Sequence, residues 1–306
     1  MKNQLTYIPR RQFIQTSALA TAGLFASLFP QKANSMFFDN GVQVSAHLWV
    51  YASKYPPNWD CSADLPEVFA DIKSAGYSGI ELMDILLKAD DSVERIKALI
   101  KKHNLPVTGC SFGADMWNKT KHDEILSYAT TVIDRLHQLG GETFGVSVGN
   151  AKRLKTDEEL DAQANLLKKL IAVCKSKGIT LNLHNHTYEV ENNFHDLNGT
   201  IARIPDIKLG PDLNWLIRGG VDPVWFIDTY HKQIVYLHIR DQKENGKWSE
   251  AVGEGATDFK AIAKALKRIG YKGRVAVELA FDEPAKRPVS ESWKISRNYV
   301  KDVFGW

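Results

Sequence analysis

The stretch L-D-A-Q-A-N-L-L-K-K-L-I-A-V-C-K-S-K-G-I-T-L-N-L-H-N-H, residues 160–186, holds one complete structural unit. Its first sixteen residues place apolar side chains at three-four spacing, which predicts an amphipathic helix. Gly178 stands where that helix should stop, as a glycine C-cap does. A short apolar run follows and predicts a strand over 180–184, ending in His184, Asn185 and His186. Helix, glycine, strand and a polar tip: the question is whether the rest of the chain repeats it.

It does. Runs at 42–49, 77–82, 106–111, 143–148, 180–184, 207–213, 234–239 and 274–279 read as strands, with helical patterns such as L-P-E-V-F-A-D-I-K-S-A-G between them. Gly76, Gly140 and Gly270 repeat the helix-stop position. Strict alternation implies a parallel sheet covered by helices, and eight units favour a closed (β/α)8 TIM barrel over a doubly wound sheet. No G-x-G-x-x-G follows the first strand, and no linker divides the chain. A single domain over 36–306 is expected. The weakest unit is the fifth, where 191–205 offers only a short helix around 197–203.

Residues 1–35 read as an export signal. Arg10 and Arg11 precede an uncharged run from Thr16 to Phe29 and a small-x-small end, Ala33-Asn34-Ser35. The paired arginines, with Phe13, match the twin-arginine type, which predicts a periplasmic protein. The run is shorter than the roughly 18 apolar residues of a membrane span, so no stable span is expected after cleavage. The whole chain carries a formal charge of +3, and Lys2, Arg10, Arg11 and Lys32 lie in the signal without any acid. Their removal leaves −1, which argues against nucleic acid as a partner. Cys61, Cys110 and Cys174 form no C-x-x-C and read as buried free thiols.

In such barrels chemistry gathers where strands end. The first strand ends with His47 and Trp49, and the second contains Glu81 and leads to Asp84. The sixth carries Asp212 and Asn214, the seventh His238, Arg240 and Asp241, and the eighth Glu278. His184, Asp212, His238 and Glu278 fall at comparable depths in consecutive strands and form the candidate metal set. Glu278 is hardest to explain otherwise, because a carboxylate inside V-A-V-E-L is buried and needs a partner or a cation. Two imidazoles with two carboxylates suit one divalent first-row ion, Mn²⁺, Zn²⁺, Co²⁺ or Fe²⁺. Lone histidines such as His122, His195 and His231 read as ordinary hydrogen-bonding residues.

Five ordered segments resemble the xylose-isomerase-like barrels, the sugar phosphate isomerase/epimerase superfamily. L-H-N-H-T-Y-E-V is similar to the Y-H-N-H-x-x-E-F of one branch, and D-L-N-W-L-I-R-G-G-V-D-P to its D-x-x-W…G-x-D-P. L-H-I-R-D resembles L-H-x-K-D, V-G-E-G-A-T-D-F resembles V-G-E-G-x-x-D-F, and V-A-V-E-L carries the last-strand Glu. The resemblance implies an ion held by Glu, Asp, His and Glu. Asp212, His238 and Glu278 fall on the last three, whereas His184 falls where the first Glu is usual; Glu189 and Glu191 are alternative fourth ligands. It further implies enolisation of a keto-sugar, with Glu278 or Glu81 as base, Arg240 holding developing negative charge and His186 protonating a departing group. His47, Trp49, Trp215, Asn214 and Glu189 would contact a carbohydrate substrate, and Phe281 would offer a further stacking face. The expected activity is isomerase or epimerase on an unphosphorylated sugar. The alternatives are a lyase that eliminates the aglycone of 3-keto-glycosides and a non-catalytic sugar-binding barrel; homo-oligomer formation is left open.

Overall fold

A computed structural model describes residues 41–306; the signal at 1–35 and the domain start at 36 lie outside the described residues. Seven parallel strands form one sheet: β1 Val44–His47, β2 Gly79–Met83, β3 Val107–Gly113, β4 Thr143–Ser147, β5 Thr180–Leu183, β6 Tyr236–Ile239 and β7 Arg274–Glu278. Their order is β5-β4-β3-β2-β1-β7-β6, so the ends of the row are β5 and β6.

The segment expected as the sixth of eight strands, 207–213, closes that gap without being a regular strand. Leu209 bridges Leu183 on one side and Ile234 on the other, and Asp212 bridges His238. The Gly210 N–H donates to the Leu183 carbonyl at 2.8 Å and the His238 N–H to the Pro211 carbonyl at 3.0 Å. Pro211 has no N–H to give, which interrupts the ladder. A Cβ on Gly210 would stand 1.9 Å from Asn182 Oδ1, so glycine lets this segment lie against β5. The barrel is therefore closed, with an irregular eighth stave.

Helices cover the outside: α1 Trp49–Ala52, α2 Leu65–Ser74, α3 Ser92–His103, α4 His122–Gln138, α5 Asp157–Ser176, α6 Thr187–Arg203, α7 Leu213–Arg218, α8 Pro223–Tyr230, α9 Phe259–Arg268 and α10 Val289–Phe304. Trp49 opens α1 and does not end the first strand. The Thr156–Glu159 capping box starts α5: Thr156 Oγ1 accepts from the Glu159 N–H at 3.3 Å, and Glu159 Oε2 accepts from the Thr156 N–H at 2.9 Å. Gly178 beyond its end adopts φ +71°, as its position in the sequence requires. The fifth unit differs from expectation. Its helix begins at Thr187, directly after the His184–His186 tip, and is broken where Asn192, Asn193 and Phe194 take positive φ. Two consecutive asparagines, which tolerate the left-handed region, explain the break.

Cys61, Cys110 and Cys174 are free and buried, as expected. His122, His195 and His231 each bond a backbone carbonyl, of Met116, Lys155 and Asp228 respectively. Among the described residues no helix is long and apolar enough to cross a membrane.

Candidate active site

Register puts the polar residues in one place. His47 at the end of β1 pairs with Glu81 of β2 on one side and with Glu278 of β7 on the other. Asp212, in the irregular stave, is bridged to His238 of β6. His184 follows β5 directly. These tips surround a cleft of about 430 Å³ at the C-terminal mouth of the barrel, lined by His47, Trp49, His184, His186, Trp215, His238, Arg240 and Glu278 among others.

Ligand atoms of His184, Asp212 and His238 all lie within 4.8 Å of one another, and all three residues are buried. His184 Nδ1 and Asp212 Oδ2 have no hydrogen-bond partner. Burial first, then the His238 and His186 rings, hold His184 well below the ordinary imidazole value, so it keeps a free lone pair at neutral pH. Two unsatisfied buried acceptors beside a third ligand-type ring fit a divalent first-row cation. Glu278 is not one of this trio but touches it through His238. Its Oε2 lies 3.0 Å from His238 Nδ1 and 3.5 Å from His47 Nδ1, and its Oε1 pairs with Arg240.

Arg240 supplies a resident positive charge. Its Nε is 2.9 Å from Asp212 Oδ2, close enough for an ion pair, yet the angle leaves both atoms without a true hydrogen bond. Burial raises the carboxyl of Asp212 against this guanidinium. Glu278 is held well below the carboxylate range: burial opposes ionisation, and Arg240, His47 and His238 overcome it. Asp241, next to Arg240 in the sequence, is not one of its ion-pair partners. Asp241 instead accepts from the N–H groups of Gln242, Gly253, Gly255 and Thr257, and so ties down the loop after β6. A Cβ on Gly255 would meet Asp241 Oδ1 at 2.3 Å, which gives the V-G-E-G segment its physical reason.

Of the expected residues, Asp212, Glu81, Glu189, Asn214, Phe281 and Glu191 do not line the cleft. Glu81 is buried behind His238, accepting from Tyr236 Oη at 2.8 Å and lying 2.7 Å from His238 Nε2. Burial alone would lower His238, but Glu81 and Glu278 at its two nitrogens raise it to about 10, so the ring carries a proton at pH 7 and becomes a metal ligand only by releasing the one it shares with Glu278. Glu81 therefore positions His238 from outside the cleft lining. Glu189 folds back to accept from the His186 N–H at 2.7 Å, and burial pushes its carboxyl up to about 8. Asn214 is fully buried and donates to Thr257 Oγ1 at 3.1 Å. Strand-end position does not distinguish an inward face from a brace, and Glu81, Glu189 and Asn214 act as braces in the fold. Phe281 packs on the core instead of lining the cleft, and Glu191 sits at the helix break.

His47, His186, Trp49 and Trp215 do line the cleft. His47 Nε2 lies 2.9 Å from Ser111 Oγ. His186 stacks on Tyr188 at 5.4 Å, and burial, then Arg240, lower it to about 4, so the ring is neutral at pH 7. Sequence reading missed Trp248, which meets Trp215 edge-on at 5.4 Å and carries Arg218 at 3.4 Å and Arg240 at 4.8 Å over its face. Its position in the loop after β6 was the available sign.

The sequence profile of the family described as xylose isomerase-like TIM barrel matches residues 69–301. An inosose dehydratase from Clostridium beijerinckii is 22% identical over 272 residues, covering 78% of this chain and 90% of that protein. Among solved structures, a 3-keto-D-glucoside 4-epimerase from E. coli superposes with TM-score 0.66 at 19% identity, over 86% of this chain and 100% of that one. A D-allulose 3-epimerase from Methylomonas sp., in complex with D-allulose, gives TM-score 0.68 at 19% identity, over 88% and 100%.

Proposed function

The chain belongs to the xylose isomerase-like TIM barrel family, and from that premise we propose that it is a metal-dependent lyase for unphosphorylated keto-sugars, eliminating the β-substituent of a 3-keto-glycoside. The observation that carries this reading is that Glu81 is sequestered behind His238, so of the two cleft-wall acids, Glu278 and Asp84, Glu278 is the one in contact with the His184–Asp212–His238 trio, through His238. Opposed two-carboxylate proton transfer is thereby disfavoured, and one-sided chemistry is supported.

A divalent ion on the trio would supply Lewis-acid polarisation of the ketone. His186, neutral and on the cleft wall, is placed to take the proton from the carbon beside the carbonyl. The C–H electrons form the new double bond as the C–O bond at the next carbon breaks, and the same imidazole returns its proton to the departing oxygen. The Arg240 guanidinium holds the negative charge that develops on the ketone oxygen. Trp49 and Trp215 offer flat apolar faces to the sugar. The relatives named dehydratases support elimination, and the neighbour named a 3-keto-D-glucoside epimerase supports the substrate class. The twin-arginine-type N-terminus supports export to the periplasm, where phosphorylated sugars are scarce.

The second reading is isomerisation or epimerisation of a free ketose. Asp84 favours it, because it joins Glu278 as a carboxylate on the cleft wall. The two separate when Mn²⁺-loaded protein meets methyl 3-keto-β-D-glucoside in deuterium oxide. Methanol release, with no deuterium in recovered ketose, is the expected result. Deuterium entry or a stereochemical change without methanol release overturns the lyase in favour of the isomerase/epimerase, and binding without turnover marks a sugar-binding barrel.

A further inference from the structure

Beside the catalytic cleft lies a second and larger concavity, about 760 Å³, that neither the trio nor the proton-transfer groups enter. Its walls include Trp59, Met83, Ile85, Phe112 and Tyr128, and more of its lining is apolar than polar. Met83, Asp84, Phe112 and Gly113 line both spaces, so the two abut along the ends of β2 and β3. A pair of indoles spans the junction. Trp49 belongs to the cleft, Trp59 to the second chamber, and their rings are 5.3 Å apart. Phe112 in the shared wall is held from behind by Phe144 at 5.4 Å and Tyr128 at 5.9 Å.

Size makes the chamber informative. Pockets of about 300–1,000 Å³ accommodate an entire drug-sized ligand. The cleft alone, at about 430 Å³, is therefore sufficient for a keto-hexose. A free ketose leaves the adjoining space without purpose. A two-part substrate uses both: the sugar in the cleft, its substituent across the shared wall. Three aromatic rings and a thioether in the wall select the chemistry of that substituent, since planar aromatic groups gain from offset and edge-to-face ring contacts and from sulfur contacts that a second sugar makes less well. Lys88 in the lining is available to phenolic hydroxyls, whereas Lys121 and Asp115 are paired with each other at 2.7 Å.

We propose that this chamber is an aglycone site for a planar aromatic group, which makes the preferred substrate an aryl 3-keto-glycoside. The inference rests on the keto-sugar reading for the half of the substrate in the cleft, and its own claim concerns the other half.

The probes are 4-nitrophenyl and methyl 3-keto-β-D-glucoside, with dissociation constants measured by calorimetry and KM measured where turnover occurs. Ring contacts of this kind predict about tenfold tighter binding of the aryl compound to the wild type. Trp59→Ala and Tyr128→Ala should each collapse that preference, and Trp59→Phe should restore most of it. Binding of the methyl glycoside should change less than about threefold in these variants, a shift below 1 kcal/mol. Because the leaving-group acidity of nitrophenol alters kcat in wild type and variants alike, the binding ratio is the deciding quantity. Equal affinity of the wild type for the two probes, an aryl preference that survives both alanine variants, or no binding of either probe overturns the proposal. Aryl-selective binding without release of aglycone leaves the chamber assignment standing and removes the lyase reading.

Discussion

Arg240→Ala probes the charge balance of the site. Arg240 and Glu278 are each 4% exposed and Asp212 is fully buried, so the guanidinium pairs with two carboxylates that are largely shielded from water. Removing one partner of a buried ion pair costs about 3–5 kcal/mol, because the remaining charge is left uncompensated. For a chain of this size each kcal/mol lowers Tm by roughly 2–4 °C, so a loss of about 6–20 °C is expected in chelator at pH 7. The variant should then respond to a divalent ion more than the wild type does. With the guanidinium gone, Asp212 Oδ2 faces the His184–His238 pair with no competing cation, and Mn²⁺ at about a hundred times its Kd returns roughly 2.7 kcal/mol. Urea melts of both proteins, in chelator and in excess Mn²⁺, read this directly. A variant as stable as wild type in chelator, or equal gains from Mn²⁺ in both proteins, refutes the reasoning.

Glu189 gives a pH signature. Its carboxyl stands at about 8 in the fold against an ordinary value of 4.5, so the native state holds a proton that the unfolded chain releases between those values. Stability from this group is complete below about pH 4.5 and is lost as pH rises toward 8. Glu189→Gln should remove that slope, gaining on wild type by about 1.4 kcal/mol per pH unit inside the window; parallel melting curves across pH 5–8 would contradict it. Lys155 bonds Gln163 Oε1 at 2.7 Å and pairs with Asp196 at 2.5 Å inside the fold, so Lys155→Ala should cost about 3–5 kcal/mol in a urea melt. Losses below 1 kcal/mol would show the pair to be idle. Asp241→Ala strips the acceptor from four backbone N–H groups, freeing the loop that carries Trp248. Raised KM with kcat retained is the expected split, and an unchanged KM counts against the loop's role.

Much of this was readable in the residues because each βα unit carries its own punctuation. Three-four spacing marks the helices, glycine with positive φ marks their ends, and short apolar runs mark the strands. The stave at 207–213 was visible as apolar sequence, but Pro211 and Gly210 act through the ladder and through Asn182, which pattern does not record. For the site, strand-end position located His184, Asp212, His238 and Glu278 around one barrel mouth. It could not tell a side chain that faces the cleft from one that braces its neighbour. Glu81 and Asn214 satisfy partners 157 and 43 residues away on other elements, and Glu189 turns back to the His186 N–H at the start of its own helix. Trp248 was missed for the converse reason: it lies in a loop of ordinary polar composition and gains its place only when Asp241 gathers that loop against the barrel.

The most direct measurement is anomalous diffraction from crystals grown with Mn²⁺, with metal content checked by mass spectrometry on the protein in solution. One peak at about 2.0–2.3 Å from His184 Nδ1 and from Asp212 Oδ2, lost in His184→Ala, is the expected result. Density elsewhere, or no stoichiometric ion in protein purified with the metal present, would contradict the account.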